Sequence, residues 1–403
     1  MIPADDVLEA LDLSRAEPGI GFLEALFVRF NAKVPFENAS KIARNARVAD
    51  LEAKPRTPDV FWADHLELGS GGTCFARAAA FGWLLAQLGF TSRRVLGKVR
   101  HDGDHAALLV ETAAGESIVD VGFPLPAILP GRAGAAASSQ GEIEVTETAR
   151  GFRIELLEGV PEGPRTLEVF SAPISEEQYQ DRWRETFRPG SRFLNELCLR
   201  RDLGHRVLSY ALGQLRVDDL HSRLTLPLSA EPEAILAEHF GIDAGVLARA
   251  FAEVGRPAAT GEPTLTAYLE TSTSSAEAFG AIATPGGYGR LVGGVAEIVG
   301  AHETTGGFCV TLAAPEGRAV AGFEDDVVVE AGALRVAVQR RQGAGTQHSS
   351  FRVLERGEKT YLLREMVLPG RRDELLRNDS MRGRLAGSLA VDLLAWSRLV
   401  ASA

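Results

Sequence analysis

The chain has 403 residues, of which 45% are hydrophobic and 24% are charged, so its composition is that of a folded globular protein rather than a disordered one. This length predicts two or three domains. The formal net charge of -11 argues against a general nucleic-acid binder, because phosphate contacts require a concentrated basic surface.

The cysteine content and the first residues favour a cytoplasmic protein. Cys74, Cys198 and Cys309 are widely spaced and odd in number, which indicates neither a disulfide framework nor a structural zinc site. Residues 1–9 lack the basic and apolar regions of a signal peptide. No apolar run approaches the roughly 18 residues that a membrane span needs. We therefore expect no metal, no membrane partner and no nucleic-acid partner.

Hydrophobic spacing divides the first half of the chain into a helical and a strand-rich part. Over residues 1–90, apolar residues recur three and four positions apart, which predicts a helical bundle. From about residue 92 to residue 169, short segments rich in Val, Ile and Leu then predict a sheet or a barrel. The clearest predicted strands cover 94–99, 106–110 and 117–121. Residues 130–141 are rich in Gly, Ala and Ser, and are expected to form an exposed loop.

The second half of the chain is interrupted by a segment rich in Gly and Pro. Helical spacing returns over 232–254, and residues 258–263 are predicted to be a linker. Residues 264–403 then form the second predicted domain, in which several strands precede a final helix. One stripe of that helix is apolar and must be buried; it contains Leu385, Leu389, Leu393, Trp396 and Val400.

Cys74 is the candidate nucleophile. It follows Gly71-Gly72-Thr73 and begins an apolar helical stripe that ends at Gly89, so it is expected at a helix N-terminus. Unpaired amides and the positive end of the helix dipole favour a thiolate there. We expect the two glycines to allow a tight turn and an approachable sulfur. Taken alone, Cys74 is better explained as a small buried core residue, which is what most free cysteines are.

His105 and Asp120 border two adjacent apolar strands. If these strands pair as a hairpin, the two side chains lie together, and the carboxylate fixes the imidazole tautomer while the other ring nitrogen faces the thiol. Taken singly, Asp120 is better explained as a turn residue, and His105 as an ordinary residue at a strand end. The occurrence of all three residues, in the order Cys, His, Asp, is more informative than any one of them alone.

At these residues the chain resembles the arylamine N-acetyltransferases over about residues 1–257. Pro35-Phe36-Glu37-Asn38 resembles the family's N-terminal signature, and Gly71-Gly72-Thr73-Cys74-Phe75 resembles its nucleophile motif. His105 matches the histidine strand, and Asp120-Val121-Gly122-Phe123 resembles the motif of the third residue. Phe240-Gly241-Ile242 is similar to the end of the lid segment.

The resemblance implies an α+β multidomain fold with a helical bundle over 1–90, a β-barrel over about 91–190 and an α/β lid over about 191–257, the cysteine-protease-like acetyltransferase architecture. It also implies a ping-pong reaction in which acetyl-CoA, or another acyl thioester, acylates Cys74 before a small amine takes the acyl group. No cofactor would be bound permanently. By the same resemblance, Phe36 and Phe123 would form the walls of the acceptor pocket; plain core packing explains the two residues equally well.

Four positions depart from the family pattern. Ser70 stands where the family usually has arginine, Ala76 and Ala78 replace the glutamate and asparagine that follow the cysteine, and Pro124 replaces a glycine. These changes leave open acyl transfer to another amine, or amide formation. They also leave two other function classes open, a transglutaminase-like cysteine hydrolase and a noncatalytic ligand-binding protein with a residual triad. The Pro35-Phe36-Glu37-Asn38 signature favours the transferase over the hydrolase.

Residues 264–403 resemble, more weakly, the START and polyketide-cyclase helix-grip domains, in which a curved antiparallel sheet wraps a long C-terminal helix. This resemblance implies a helix-grip α+β domain and a hydrophobic ligand in an apolar cavity. A packed core without a cavity explains the same pattern. His302 and His348 are isolated and indicate no second catalytic site.

Overall fold

The computed structural model contains two compact units. The first comprises Met1–Glu158, Pro164–Leu220 and Leu228–Ala259; the second comprises Thr260–Ala403 with the short segments Gly159–Gly163 and His221–Pro227. The structure describes residues 2–123, 125, 127–138, 141–158, 165–219, 221–228, 231–257, 260–292, 297–313, 323–342, 345–356 and 359–401.

Helices dominate the first 90 residues of the first unit, as the hydrophobic spacing predicts. The first five are α1 (Ala4–Ala10), α2 (Ile20–Lys33), α3 (Ala39–Arg47), α4 (Pro58–Leu68) and α5 (Cys74–Gln87). Ten residues of α5 are buried, which places this helix in the centre of the bundle core. Its last turn is followed by Gly89 with a φ of 85°, a conformation that glycine adopts without strain.

An eight-stranded antiparallel sheet follows the helices. Its strands are β2 (Ser92–Lys98), β3 (Asp102–Thr112), β4 (Gly115–Val119), β5 (Leu129–Pro130), β6 (Gly134–Ser138), β7 (Gly141–Thr148), β8 (Gly151–Glu158) and β9 (Arg165–Phe170). The order across the sheet is β5-β4-β3-β2-β9-β8-β7-β6. Strands β3 and β4 pair with Leu108 opposite Val119, so the predicted hairpin is confirmed.

Strand β3 is buried on both faces, and this determines where the chemistry-bearing residues lie. Because side chains alternate between faces along a strand, Ala106 and Leu108 pack into the helical core, while Ala107 and Leu109 pack into the core of the sheet. His105 therefore directly precedes the part of β3 that is held between two hydrophobic cores.

The prediction of an exposed loop over residues 130–141 is wrong. Within it, β6 pairs with β7 from Gly134 opposite Val145 to Ser138 opposite Gly141. A segment of small residues shows no apolar alternation, but its backbone still forms a complete hydrogen-bonded ladder with a neighbouring strand. Residues 139 and 140 lie outside the described residues.

The remaining part of the first unit joins a small sheet to three helices. The sheet contains β1 (Phe36–Glu37), β10 (Leu199–Asp202), β11 (Val207–Ala211) and β12 (Gln214–Asp219), in the order β1-β10-β11-β12. The helices are α6 (Glu176–Glu185), α7 (Glu233–Phe240) and α8 (Ala244–Val254). Asn38 fastens β1 to the segment before β10, because its side chain donates to the carbonyls of Phe193 and Glu196 and accepts from the amide of Cys198.

The second unit is an antiparallel sheet with four helices. Its strands are β13 (Ser222–Pro227), β14 (Thr264–Thr271), β15 (Glu297–Thr304), β16 (Gly307–Ala313), β17 (Phe323–Glu330), β18 (Arg335–Gln342), β19 (Gly345–Arg356) and β20 (Lys359–Val367), in the order β13-β14-β20-β19-β18-β17-β16-β15. The helices are α9 (Ser275–Gly280), α10 (Pro285–Val292), α11 (Arg372–Arg377) and α12 (Asp379–Ala401). Strand β13 falls inside the predicted lid, yet it pairs with β14 and belongs to this unit.

Helix α12 buries the predicted stripe against this sheet. Leu389, Leu393, Trp396 and Val400 are buried, and Leu385 is half-buried. The indole of Trp396 stands edge-on to another buried ring, that of Phe351, with the centroids 5.6 Å apart. No helix among the described residues is both long and apolar enough to cross a membrane.

A buried ion pair lies within the same unit. Asp325 is fully buried, and its carboxylate accepts two hydrogen bonds of 2.8 Å from the guanidinium of Arg340 and one of 2.7 Å from the hydroxyl of Tyr288. Each carboxylate oxygen thus has a donor, which offsets the desolvation of the charge.

We predict that Trp396→Ala destabilises the second unit by about 3–5 kcal/mol, because the substitution leaves a large cavity and removes the 2.9 Å indole hydrogen bond to the carbonyl of Ala278. The control is Val391→Ala on the same helix, whose side chain is 63% exposed and whose loss is expected to change stability by about 0.5 kcal/mol or less. Unfolding in urea, monitored by hydrogen exchange in peptides from β19 and β20, measures the stability of both variants. Equal effects of the two variants would contradict the burial assignment.

Candidate active site

Cys74 is the first residue of α5, as predicted. Its N-cap residue, Thr73, makes no side-chain capping hydrogen bond, so the amides of the first helical turn remain directed at the space beside the thiol. The positive end of the helix dipole favours a thiolate at this position. The side chain is only 6% exposed, and its sulfur lies 3.9 Å from the carbonyl oxygen of Asp104, next to His105.

The hairpin of β3 and β4 brings His105 and Asp120 together. Their side chains are buried, and Nε2 of His105 lies 2.6 Å from Oδ2 of Asp120. The other carboxylate oxygen accepts 2.8 Å hydrogen bonds from the amides of Gly122 and Phe123. Both oxygens of the buried carboxylate are therefore satisfied, and the imidazole is fixed in one orientation.

The electrostatics of this cluster favour a charged imidazole. Burial by itself lowers the pKa of His105, but the Asp120 carboxylate and the Cys74 sulfur more than offset this and raise the pKa to about 10. Hydrogen bonding of His105 to both partners contributes to the increase. A buried imidazole that carries a positive charge therefore lies between the Asp120 carboxylate and Cys74.

The glycines before Cys74 are sites of close approach. Neither has a positive φ. A Cβ atom on Gly71 would lie 1.8 Å from the carbonyl oxygen of Pro35, and one on Gly72 would lie 2.8 Å from Cβ of Ala76. Gly71 thus allows the Pro35-Phe36 segment to lie directly against the nucleophile loop, where Phe36 forms a parallel bridge with Gly72.

Gly122 is also required by close approach. A Cβ atom there would lie 2.5 Å from Cβ of Cys74 and 2.7 Å from its Cα. The residue that follows Asp120-Val121 therefore packs against the backbone of the nucleophile. Any side chain at this position would separate Cys74 from the hairpin that carries His105.

Phe36 and Phe123, the two predicted pocket residues, line one cavity beside Gly122. Arg77 and Asp202 also line the cavity, whose volume of about 20 Å³ has room for about one water molecule. Pro124, one of the predicted departures from the family pattern, lies outside the described residues.

Several charged residues near the site were missed by the sequence analysis. Arg56 is 5% exposed, and its guanidinium donates to the carbonyl of Gly71 in the nucleophile loop. Arg77 is 2% exposed and lies one helical turn after Cys74. The signal for Arg77 was present in the sequence, since it is the one charged residue in the otherwise apolar first two turns of α5.

Lys41 is another buried cation that the sequence did not reveal. Its ammonium donates a 2.8 Å hydrogen bond to the hydroxyl of Thr186 and lies 4.7 Å from the ring centre of Phe187. Burial lowers the pKa of Lys41 to about 7, although the nearby Cys74 opposes the change. Within the part of the chain that the structure describes, no cluster of three His, Cys, Asp or Glu residues suits a metal ion.

Sequence comparisons agree with the motifs. A family model described as N-acetyltransferase matches residues 20–247. The arylamine N-acetyltransferase of Mycolicibacterium smegmatis is 32% identical over 120 residues, which cover 27% of this chain and 42% of that relative. The chain therefore matches less than half the length of this curated relative.

Structural comparisons cover most of the first unit. An arylamine N-acetyltransferase structure from M. smegmatis has a TM-score of 0.55 at 22% identity and covers 63% of this chain and 100% of its own. The Salmonella typhimurium enzyme has a TM-score of 0.54 at 20% identity, and the match covers 62% of this chain and 99% of that enzyme. The Mycobacterium marinum enzyme in complex with CoA has a TM-score of 0.53 at 18% identity, and the match covers 61% of this chain and 98% of that enzyme. At these identities the matches show a shared fold.

We predict that iodoacetamide at neutral pH alkylates Cys74 faster than Cys198 or Cys309. Burial raises the pKa of Cys198 to about 11 and also raises the pKa of Cys309, whereas only Cys74 combines a helix N-terminus with a histidine partner. A time course of peptide masses measures the three rates. Because Cys198 is the most exposed of the three thiols, its faster labelling would show that exposure, rather than activation, controls the reaction.

We also predict that the His105 imidazole stays protonated through pH 8, and that Asp120→Asn lowers its pKa by removing the negative charge. Because the folded pKa of about 10 lies above the unfolded value of about 6.5, the stability that this group contributes is complete below pH 6.5 and is lost as the pH rises towards 10. Nitrogen chemical shifts of the ring, recorded against pH, test the assignment. A midpoint that Asp120→Asn leaves unchanged would contradict it.

Proposed function

This chain belongs to the arylamine N-acetyltransferase family, and we propose that its first unit moves an acyl group, first of all acetyl, from acyl-CoA through a Cys74 acyl-enzyme to an amine. The observation that carries the proposal is the 2.6 Å contact between His105 and Asp120 in a buried hairpin beside Cys74. A nucleophile, a base and an orienting carboxylate are thereby present together.

In the first half-reaction, the Cys74 thiolate attacks the thioester carbonyl, the carbon–sulfur bond to CoA breaks, and the CoA thiolate takes a proton from the His105 imidazolium. In the second half-reaction, the amine attacks the acyl-enzyme, the bond to Cys74 breaks, and His105 receives the proton of the amine. The Asp120 carboxylate orients the imidazole and stabilises the imidazolium. Two easier transfers replace one direct acylation.

Phe36 and Phe123 are proposed to contact the acceptor amine. Their position in the cavity beside Gly122 supports this role, and the ring of Phe123 stands edge-on to His105 with the ring centres 6.2 Å apart. Since the cavity holds about one water molecule, the walls must separate before an aromatic amine enters. The CoA complex of the M. marinum relative supports acetyl-CoA as the co-substrate.

Two alternatives use the same residues. A transglutaminase-like cysteine hydrolase would pass the acyl group to water, and a noncatalytic protein would retain the triad without turnover. Membership of a transferase family favours transfer to an amine. The dependence of product formation on added amine separates the three functions.

For the second unit we propose a helix-grip α+β fold. The antiparallel strand order β14-β20-β19-β18-β17-β16-β15 and the packing of α12 on β14 and β20 support this assignment. A hydrophobic ligand would lie between the sheet and α12, where Phe351 and Trp396 now meet. We further propose that the protein acts in the cytoplasm, where thiols remain reduced; its three cysteines are unpaired.

We predict that acetyl-CoA increases the mass of the intact protein by one acetyl group, and that this adduct disappears on addition of an arylamine. Cys74→Ser should lower acyl transfer by at least about a thousandfold with an unchanged thermal midpoint, since a serine hydroxyl is a far weaker nucleophile than an activated thiolate. Intact-mass spectrometry and a panel of acyl-CoA thioesters measure the adduct.

The control for this experiment is Cys198→Ser, which removes a thiol outside the cluster and should acylate normally. An adduct that water removes as fast as the amine does would favour the hydrolase. A protein that forms no adduct with any thioester in the panel would support the noncatalytic alternative.

A further inference from the structure

Arg77 connects three separate segments of the candidate site. From α5, its guanidinium donates to the backbone carbonyls of Val121 and Val34, and Nη2 donates a 2.7 Å hydrogen bond to Oδ1 of Asn31. The guanidinium also lies 4.7 Å from the ring centre of Phe30. The side chain thus binds the nucleophile helix, the Asp120 loop and the segment before Phe36.

Each of these contacts is close to a residue that the reaction needs. Val121 directly follows Asp120, and the next two amides, those of Gly122 and Phe123, donate to the Asp120 carboxylate. Val34 is two residues before Phe36, and Arg77 lines the same cavity as Phe36 and Phe123. A displacement at either carbonyl would therefore move the Asp120 carboxylate or a wall of the pocket.

The charge of Arg77 does not explain its position by itself. Among the described residues, no carboxylate oxygen lies within 4.0 Å of its guanidinium, and its hydrogen bonds all go to neutral oxygens. Burial lowers the pKa of Arg77 to about 9, while Asp120, Glu37, Asp202 and Cys74 oppose the change. Burying a cation that has only neutral acceptors costs free energy. We therefore attribute the role of Arg77 to the fixed geometry of the N–H donors on its planar guanidinium rather than to its charge.

We propose that Arg77 is a positioning residue of the acyl-transfer site, which holds the Asp120 loop and the Phe36 segment against the helix that carries Cys74. The inference rests on the proposed function. It also explains how the site keeps its geometry although Ala76 and Ala78, on either side of Arg77, provide no polar side chains.

The test compares Arg77→Lys and Arg77→Met in the full chain. Lysine keeps the charge but, as a single ammonium, cannot reach three acceptors in the fixed geometry of a guanidinium. If Arg77 acts by position, both variants lower the rate of Cys74 alkylation by iodoacetamide at pH 7 about tenfold or more. If it acts only by charge, Arg77→Lys retains the wild-type rate, and that result would overturn the proposal.

The pKa of His105 gives a second readout with opposite signs for the two roles. Removing a nearby positive charge by Arg77→Met raises this pKa when the carboxylate stays in place, whereas displacement of Asp120 lowers it. We expect the pKa to fall by about one unit or more, as followed by ring nitrogen shifts. An unchanged or raised value would overturn the proposal.

The matched control is Arg201→Met. Arg201 also donates to two backbone carbonyls, those of Ala32 and His239, but it contacts neither the Asp120 loop nor the nucleophile helix. It should lower the thermal midpoint without changing the rate of Cys74 alkylation. If Arg201→Met lowers the alkylation rate as much as Arg77→Met does, Arg77 contributes only to general stability, and the proposal is overturned.

If Arg77→Met fails to fold, Asn31→Ala replaces it, since this substitution removes one of the three contacts and leaves the other two. It should lower the alkylation rate severalfold, and a wild-type rate would contradict the inference. Neither alkylation nor the His105 titration requires an acyl donor. The two proposals can therefore fail separately. If substitution of Arg77 changes both the alkylation rate and the pKa of His105, but no thioester acylates the protein, the proposed function is refuted and the positioning role of Arg77 is retained.

Discussion

The hydrogen bond between His105 and Asp120 is the interaction on which the candidate site depends. Because both side chains are buried, the carboxylate would be strongly destabilised without donors for each oxygen. Two consecutive amides after Asp120 supply one set of donors, and the imidazole supplies the other. The same arrangement that makes a buried charge tolerable also fixes the orientation of the imidazole.

Close backbone approach is the second constraint, and three glycines satisfy it. Gly71 admits the Pro35-Phe36 segment against the nucleophile loop, Gly72 lies against Ala76 in the first turn of the nucleophile helix, and Gly122 admits the Asp120 loop against Cys74. The resemblance to the arylamine N-acetyltransferases rests on these same motifs. They are consequently motifs of packing as much as of chemistry, since a side chain at Gly122 would separate Cys74 from the Asp120 loop.

Two buried arginines lie beside this cluster. Arg56 donates to the carbonyl of Gly71 in the nucleophile loop, and Arg77 donates to the carbonyl of Val121 after Asp120, in a chain whose position 70 is serine. Both guanidinium groups therefore bind backbone next to the candidate site residues. The second unit has a comparable feature, the Tyr288-Asp325-Arg340 cluster, in a part of the chain outside the family match.

The sequence by itself determined the local features of this protein: the helix that begins at Cys74, the β3–β4 hairpin, and the buried stripe of α12, because hydrophobic period and helix-start signals are local properties. Only the tertiary structure decided the rest. It showed that the Gly71 and Gly72 backbone meets Pro35 and Phe36, that the Ala-rich 134–138 segment pairs as a strand, and that Arg77 binds three segments. These are contacts between distant parts of the chain, and the identity of a residue's partner across such a distance is not encoded in the spacing of its neighbours.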